Sequence, residues 1–170
     1  MTATIRRPGA LSALLRLSSQ ALAVLGCLLL IGIAVTTVLS VAGRVLFSSP
    51  IQGDVELVQL AGAVGIACFL PYTQWQGGNI IVDFFTARAP DGVRRRLDAF
   101  GALALGAVAG LVAWRTAAGA LAAWDNEETS MLMAIPVWIP YALMTPGLTL
   151  TALVSLHISW LRLTGQNGSG

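Results

Sequence analysis

Four long stretches of this 170-residue sequence carry almost no charge. No charged residue lies within 17–43, 57–82 or 129–161, and the window 99–124 contains Arg115 alone. A helix that crosses a bilayer needs about 20 apolar residues. Only 11% of the chain is charged, against about 25% in a typical soluble domain. The sequence therefore predicts an all-α integral membrane protein with four transmembrane helices, at approximately 17–43, 57–76, 97–124 and 135–161.

The first uncharged window could be taken for a secretory signal. Its 27 residues are much longer than the apolar core of a cleavable signal, which has about 7–15 residues. We therefore expect a retained first helix. The predicted organisation is an N-terminal segment at 1–16, one four-span membrane domain at 17–163 and a C-terminal tail at 164–170.

Arginine must set the orientation, because the chain has no lysine. Four spans place both termini on one side, and that side receives eight of the ten arginines, whereas the other side receives only Arg44 and Arg115. The positive-inside rule then predicts cytoplasmic termini and a cytoplasmic hinge between spans two and three. The basic face is a signal of membrane topology. Binding of nucleic acid would need a specific motif, and we expect none.

The hinge has a helical pattern of its own. Ile80, Ile81, Phe84 and Phe85 share one helical face, while Asp83 projects elsewhere. This pattern predicts a short amphipathic helix that lies in the lipid interface, with continuation of the second span as the alternative.

The residues of common catalytic and metal sites are sparse. His157 is the only histidine, and Cys27 and Cys68 lie in apolar spans, so no metal or cofactor site is expected. Neither a Walker loop nor a nucleophile with a general base is evident, so an enzyme is disfavoured. No acid lies deep in a span, which argues against a stand-alone proton-coupled transporter.

The predicted outer side carries a small group of charges. Arg44 ends the first span, and Asp54 and Glu56 open the second. Glu56 either complements the helix dipole or pairs with Arg44, with Arg115 or with an arginine of a partner subunit. Arg115 either snorkels to the interface or forms an ion pair with Asp54, with Glu56 or with a partner subunit.

Small residues and prolines mark the later spans. Ala102, Gly106 and Gly110 form a stripe that allows close helix packing, inside the bundle or between subunits. Pro136 falls near the start of the fourth span, where proline is tolerated. Pro146, followed by Gly147, is expected to kink that span.

Three stretches resemble a known family. They are "RVLFSSPIQGDVELVQL" from Arg44, "GGNIIVDFF" from Gly77 and "TSMLMAIPVWIPYALMTPG" from Thr129. In this order on a four-span chain, they resemble the small membrane subunit, DctQ type, of tripartite ATP-independent periplasmic (TRAP) transporters. Asn79 departs from the family, since many relatives have histidine there.

The resemblance implies a non-catalytic subunit of the bacterial inner membrane. Its expected partners are the large membrane subunit (DctM type), the periplasmic substrate-binding protein (DctP type) and membrane lipids. The large subunit would carry an organic anion together with sodium, and this chain would brace its static scaffold and help to dock the binding protein. The alternative is a stand-alone small four-span transporter or channel. The candidate interface or structural residues are Arg44, Glu56, Asp83, Gly106, Gly110, Arg115, Pro136, Trp138, Pro146 and Gly147.

Overall fold

A computed structural model describes residues 10–47, 53–77 and 91–164. These residues form four helices: α1 (Ala10–Phe47), α2 (Asp54–Trp75), α3 (Asp91–Asp125) and α4 (Trp138–Leu163). Each helix contains a stretch that is long and apolar enough to cross a membrane. The predicted all-α architecture with four membrane-spanning helices is thereby confirmed.

The helices stand side by side in the order α1, α2, α4, α3. Helix α2 packs between α1 and α4, and α4 packs between α2 and α3. Helix α1 also touches α4, whereas α3 packs on α4 alone among the described helices. This row leaves much apolar surface uncovered, and on one face a groove of about 400 Å³ lies between α2 and α3.

Small residues lie where neighbouring helices come closest. A Cβ atom added to Gly26 of α1 would lie 3.0 Å from the Cβ of Cys68 in α2. A Cβ added to Gly147 of α4 would overlap the carbonyl oxygen of Ala67 in α2. Gly106 of α3 faces Ser155 of α4 in the same way, at 3.2 Å. Helix packing in lipid depends on such close approach, because lipid supplies little hydrophobic drive for association.

Helix α1 is longer than the predicted first span. Its 38 residues extend over about 57 Å at 1.5 Å per residue, which exceeds the total bilayer thickness of about 40–45 Å. The helix starts at Ala10 and continues through Arg16. Only 6% of its most apolar window is buried, against 28–33% in the other three helices. Most of α1 is therefore available to lipid or to a partner protein.

Two further expectations concern the hinge and the fourth span. The predicted amphipathic hinge helix, with Asp83, lies outside the described residues and stays a prediction. Helix α4 begins at Trp138, so Pro136 lies in the preceding loop rather than in the first helical turn. The helix is continuous through Pro146.

Candidate functional site in the α3–α4 loop

Residues 126–137 connect α3 to α4 as a short hairpin, which we call the Glu56 hairpin because Glu56 holds its tip. Ser130 donates its N–H to the carbonyl oxygen of Ile135 (2.9 Å), and Ile135 donates its N–H to the Ser130 hydroxyl (3.1 Å). The N–H of Val137 donates to the carbonyl oxygen of Glu128 (3.0 Å), and an antiparallel bridge joins Thr129 to Pro136. These bonds fix the backbone of an otherwise exposed loop.

The Glu56 carboxylate binds the tip of this hairpin. It accepts backbone N–H bonds from Met131 (2.9 Å), Leu132 (3.2 Å) and Met133 (3.0 Å). Glu56 lies in the first turn of α2, where a negative charge also favours the helix dipole. One carboxylate therefore fastens the α3–α4 loop to the start of α2.

Gly53 makes this contact geometrically possible. It lies just before α2 with φ 80°, a left-handed conformation that suits glycine. A Cβ atom at Gly53 would overlap the Met133 side chain, which packs over it. Glycine is thus favoured here both for its backbone angle and because a side chain would displace Met133.

The hairpin presents an apolar tip. Met131 is 99% exposed and Leu132 is 71% exposed, although hydrogen bonds hold the backbone of both residues. Glu127 and Glu128 are exposed on the same connection, and Asp125 is exposed at the end of α3. A fixed apolar tip beside acidic side chains has the chemical character of a contact surface rather than of a catalytic site.

Arg44 and Asp54 form a second polar contact at this end of the helices. Their side chains are 3.8 Å apart, and the Ser40 hydroxyl donates to the same Asp54 oxygen at 2.5 Å. The other Asp54 oxygen accepts the N–H of Val55 (2.8 Å). Arg44 thus pairs with Asp54, and Glu56 binds the hairpin instead. Of the two arginines in this chain that we expected to pair with Glu56, Arg44 and Arg115, neither does so in the structure.

Arg115 stands apart from these groups. It is exposed on α3, and the ion pairs between described residues join Arg44 to Asp54 and Arg162 to Asp98 without involving it. Asp54 and Glu56, its expected partners within the chain, lie on α2, which α3 does not contact.

Trp138 joins the ends of α3 and α4 beside the hairpin. Its ring packs edge-on against Trp124, with ring centroids 4.8 Å apart. Tryptophan is typical of the membrane–water interface, so this pair marks that level on the molecule.

The opposite end of the bundle is fastened by other polar contacts. The His157 ring stacks on Trp75, with centroids 6.3 Å apart, and its Nε2 lies 3.3 Å from the Ser12 hydroxyl. The Ser159 hydroxyl donates to the carbonyl oxygen of Ala99 (2.9 Å). Side-chain contacts between helices are therefore present at both ends.

The candidate glycines differ in their surroundings. Gly147 faces the backbone of α2 and Gly106 faces Ser155, whereas a Cβ atom at Gly110 would lie 3.8 Å from the Ala152 Cβ, an ordinary contact. The described residues contain no group of three or more His, Cys, Asp or Glu side chains that could hold a metal ion.

The hairpin and the long apolar helices define a multi-pass membrane protein, and a comparison with family models gives its kind. Residues 33–165 match the family described as "Tripartite ATP-independent periplasmic transporters, DctQ component". This match covers more than three quarters of the chain, so the chain belongs to the DctQ family. No curated protein and no solved structure matches the chain.

Glu56, Pro136 and Trp138 were candidate residues on sequence grounds, but the contacts that join their surroundings were not predicted. The contact between Glu56 and Met131 joins residues 75 positions apart, and no local pattern specifies it. The predicted topology did indicate that the two regions lie on the same side of the membrane, because two spans, α2 and α3, separate the start of α2 from the α3–α4 loop.

Proposed function

We propose that this chain, as the small membrane component of a TRAP transporter, braces the static scaffold of the large membrane subunit. The observation that carries the proposal is the DctQ family match, which begins at residue 33 within α1 and extends over all of α2, α3 and α4. The transporter would import an organic anion across a bacterial inner membrane, driven by an ion gradient such as that of sodium. This chain would supply neither the substrate site nor the coupling site.

The contacts within the chain support a static role. Asp54, Glu56 and Asp98 each bind a neighbouring helix or loop. The four uncharged windows contain no acidic residue that could couple transport to an ion. The described polar side chains at the helix ends thus hold the row of helices together.

The exposed surface supports a partner-bound role. Val24, Leu28, Ile31 and Val35 are among the exposed apolar residues of α1. A row of helices with two broad apolar faces offers a partner protein far more contact area than a closed bundle of the same length. Lipid would cover the remaining surface.

Co-purification tests the proposal directly. The chain would carry an affinity tag at its C-terminus and be expressed together with a large membrane subunit of the DctM type from the same organism. After extraction in mild detergent, we expect a stable complex with a large membrane subunit of the DctM type. Recovery of the tagged chain without that subunit, while both are present in the membrane, would contradict the bracing role.

We further propose that the Glu56 hairpin helps to dock the periplasmic binding protein of the DctP type. This role would use the apolar tip at Met131 and Leu132, whose backbone is already fixed by Glu56. A surface that is ordered before binding loses less conformational entropy on association.

The docking role has its own test. The double change Met131→Ser with Leu132→Ser should weaken binding of the purified binding protein to the membrane complex, while the complex itself stays assembled. Asn126→Ser, in the same exposed loop, is the matched control. Unchanged binding in the double variant would remove the hairpin from the docking surface.

A further inference from the structure

Arg115 lies on a face of α3 that no described part of the chain covers. Ala104, Val108, Leu111, Arg115, Ala118 and Ala122 are all exposed and recur at intervals of four and three residues. We call this set the Arg115 seam. Residues at alternating intervals of three and four positions form the contact seam when two helices pack side by side along their length.

The seam points away from the helix that α3 already contacts. The buried residues of α3 include Ala102, Gly106, Ala109 and Ala113, which lie on the side that packs on α4. A rotation of 100° per residue places Arg115 about opposite Gly106 on the helix. The outer face of α3 therefore carries a pattern that is typical of helix pairing, and no other described helix packs against this face.

Arg115 lies well below the Trp124–Trp138 pair, and the exposed Trp114 is its neighbour in the sequence. Nine residues separate it from Trp124, or about 13 Å along the helix. Gly119 is beside Tyr141, and Gly110 is beside Ala152, which places Arg115 near the level of Pro146 in α4. An ionised group at such a depth needs a partner or access to water, and its cost in lipid makes it a functional candidate.

The acidic side chains of the described residues either bind other groups already or lie far from Arg115. Asp54 pairs with Arg44, Asp98 pairs with Arg162, and Glu56 binds the hairpin. Asp125 is ten residues, or about 15 Å, further along α3, and Glu127 and Glu128 follow it. The counter-charge for Arg115 must then come from outside the described chain.

We propose that the Arg115 seam packs against a transmembrane helix of the large membrane subunit, and that this helix offers an aspartate or glutamate carboxylate to Arg115. This inference rests on the proposed function and adds the contacting face. The three alanines of the seam allow close approach of a second helix, and the guanidinium supplies the charge that selects it. Phosphate groups of lipids are the competing partner, which Arg115 would reach by snorkelling.

Site-specific photo-crosslinking in the intact membrane complex tests the face. The crosslinking residue p-benzoylphenylalanine would replace Ala118 or Leu111, with Arg115 unchanged. We expect a covalent product with the large subunit from both positions. Absence of a product from both, in a preparation where the large subunit still co-purifies, would overturn the inference but leave the proposed function intact. Failure of the unmodified chain to co-purify with the large subunit would contradict both.

Charge substitution tests the ion pair. Arg115→Gln should lower the co-purified amount of large subunit several-fold, whereas Arg115→Lys should lower it less because it keeps the charge. Arg96→Gln is the matched control, since Arg96 is also exposed on α3 but lies outside the uncharged core of the span. Co-purification of Arg115→Gln at the level of the unmodified chain would assign Arg115 to lipid phosphate and refute the pair.

An assembly defect must be separated from failure to insert. The amount of each variant in the membrane would be measured through its tag, and co-purification would be expressed relative to it. If Arg115→Gln does not accumulate, mass spectrometry of the crosslinked peptides from the Ala118 position identifies the partner helix. A peptide from a helix with a membrane-embedded Asp or Glu supports the pair, and one from a helix without any such residue refutes it.

Discussion

Gly147→Ala should destabilise the chain, although alanine is normally the better residue in a helix. A Cβ atom at Gly147 would overlap the carbonyl oxygen of Ala67 and lie 2.8 Å from its carbonyl carbon. The obstruction is the backbone of α2, so no change of side-chain rotamer relieves it and the two helices must separate. Overpacking of this kind costs about 1–3 kcal/mol. Because the obstruction is backbone, we expect the upper part of this range, about 2–3 kcal/mol. Alanine regains about 1 kcal/mol through its helix propensity, so the expected net loss is about 1–2 kcal/mol.

The assay is thermal denaturation of the purified chain in detergent, followed by fluorescence-detected size exclusion. A loss of about 1–2 kcal/mol corresponds to a fall in Tm of roughly 2–8 °C for a chain of this size. Gly110→Ala is the matched control, because its Cβ would make only an ordinary contact 3.8 Å from Ala152. Ala67→Gly should not rescue Gly147→Ala, since the contact is with backbone. A Tm for Gly147→Ala equal to or above that of Gly110→Ala would refute the reasoning.

Two further predictions concern the loops. Glu56→Gln should speed hydrogen exchange several-fold at the amides of residues 131–133, because the amide side chain has one acceptor oxygen where the carboxylate has two. Asp54→Asn is the control. It should leave the exchange of these amides unchanged, since Asp54 binds Ser40 and Arg44 instead. Equal exchange in Glu56→Gln and the unmodified chain would show that Glu56 does not hold the hairpin. Reporter fusions after Gly53 and Glu128 should read periplasmic and one after Asp91 cytoplasmic, as the arginine count requires; a periplasmic reading after Asp91 would reverse the orientation.

The four helices were predictable because lipid imposes a strong rule on sequence. A spanning helix must be long and nearly uncharged, so the windows at 17–43, 57–82, 99–124 and 129–161 were sufficient to find them. The same rule did not predict the start of α1, since the helix begins at Ala10 and continues through Arg16. Charge ends an apolar window, but it does not end a helix.

The connections between helices were less predictable than the helices. Pro136 was expected near the start of the fourth span, where proline is tolerated. The hydrogen bonds that hold the tip of the Glu56 hairpin come instead from α2, far away in the sequence. Gly147 was expected at a kink and as a candidate interface or structural residue, and the structure shows it where α2 and α4 come closest. Such a role depends on the position of a second helix, which the pattern of a single helix does not specify.

The order of the helices also lay beyond the sequence pattern. Small residues at Gly106 and Gly110 indicated close packing without saying whether it was internal, and the structure places them toward α4. That position assigns this stripe to contacts within the chain. It leaves the opposite side of α3, with Arg115, for contact with a partner.

Uptake by reconstituted liposomes tests the central claim most directly. Liposomes under an inward sodium gradient would contain this chain alone, the large subunit alone or both, each with the binding protein and its labelled organic anion outside. We predict gradient-driven uptake only when this chain and the large subunit are present together. Uptake by this chain alone would make it a transporter in its own right, and equal uptake by the large subunit without it would deny it a bracing role.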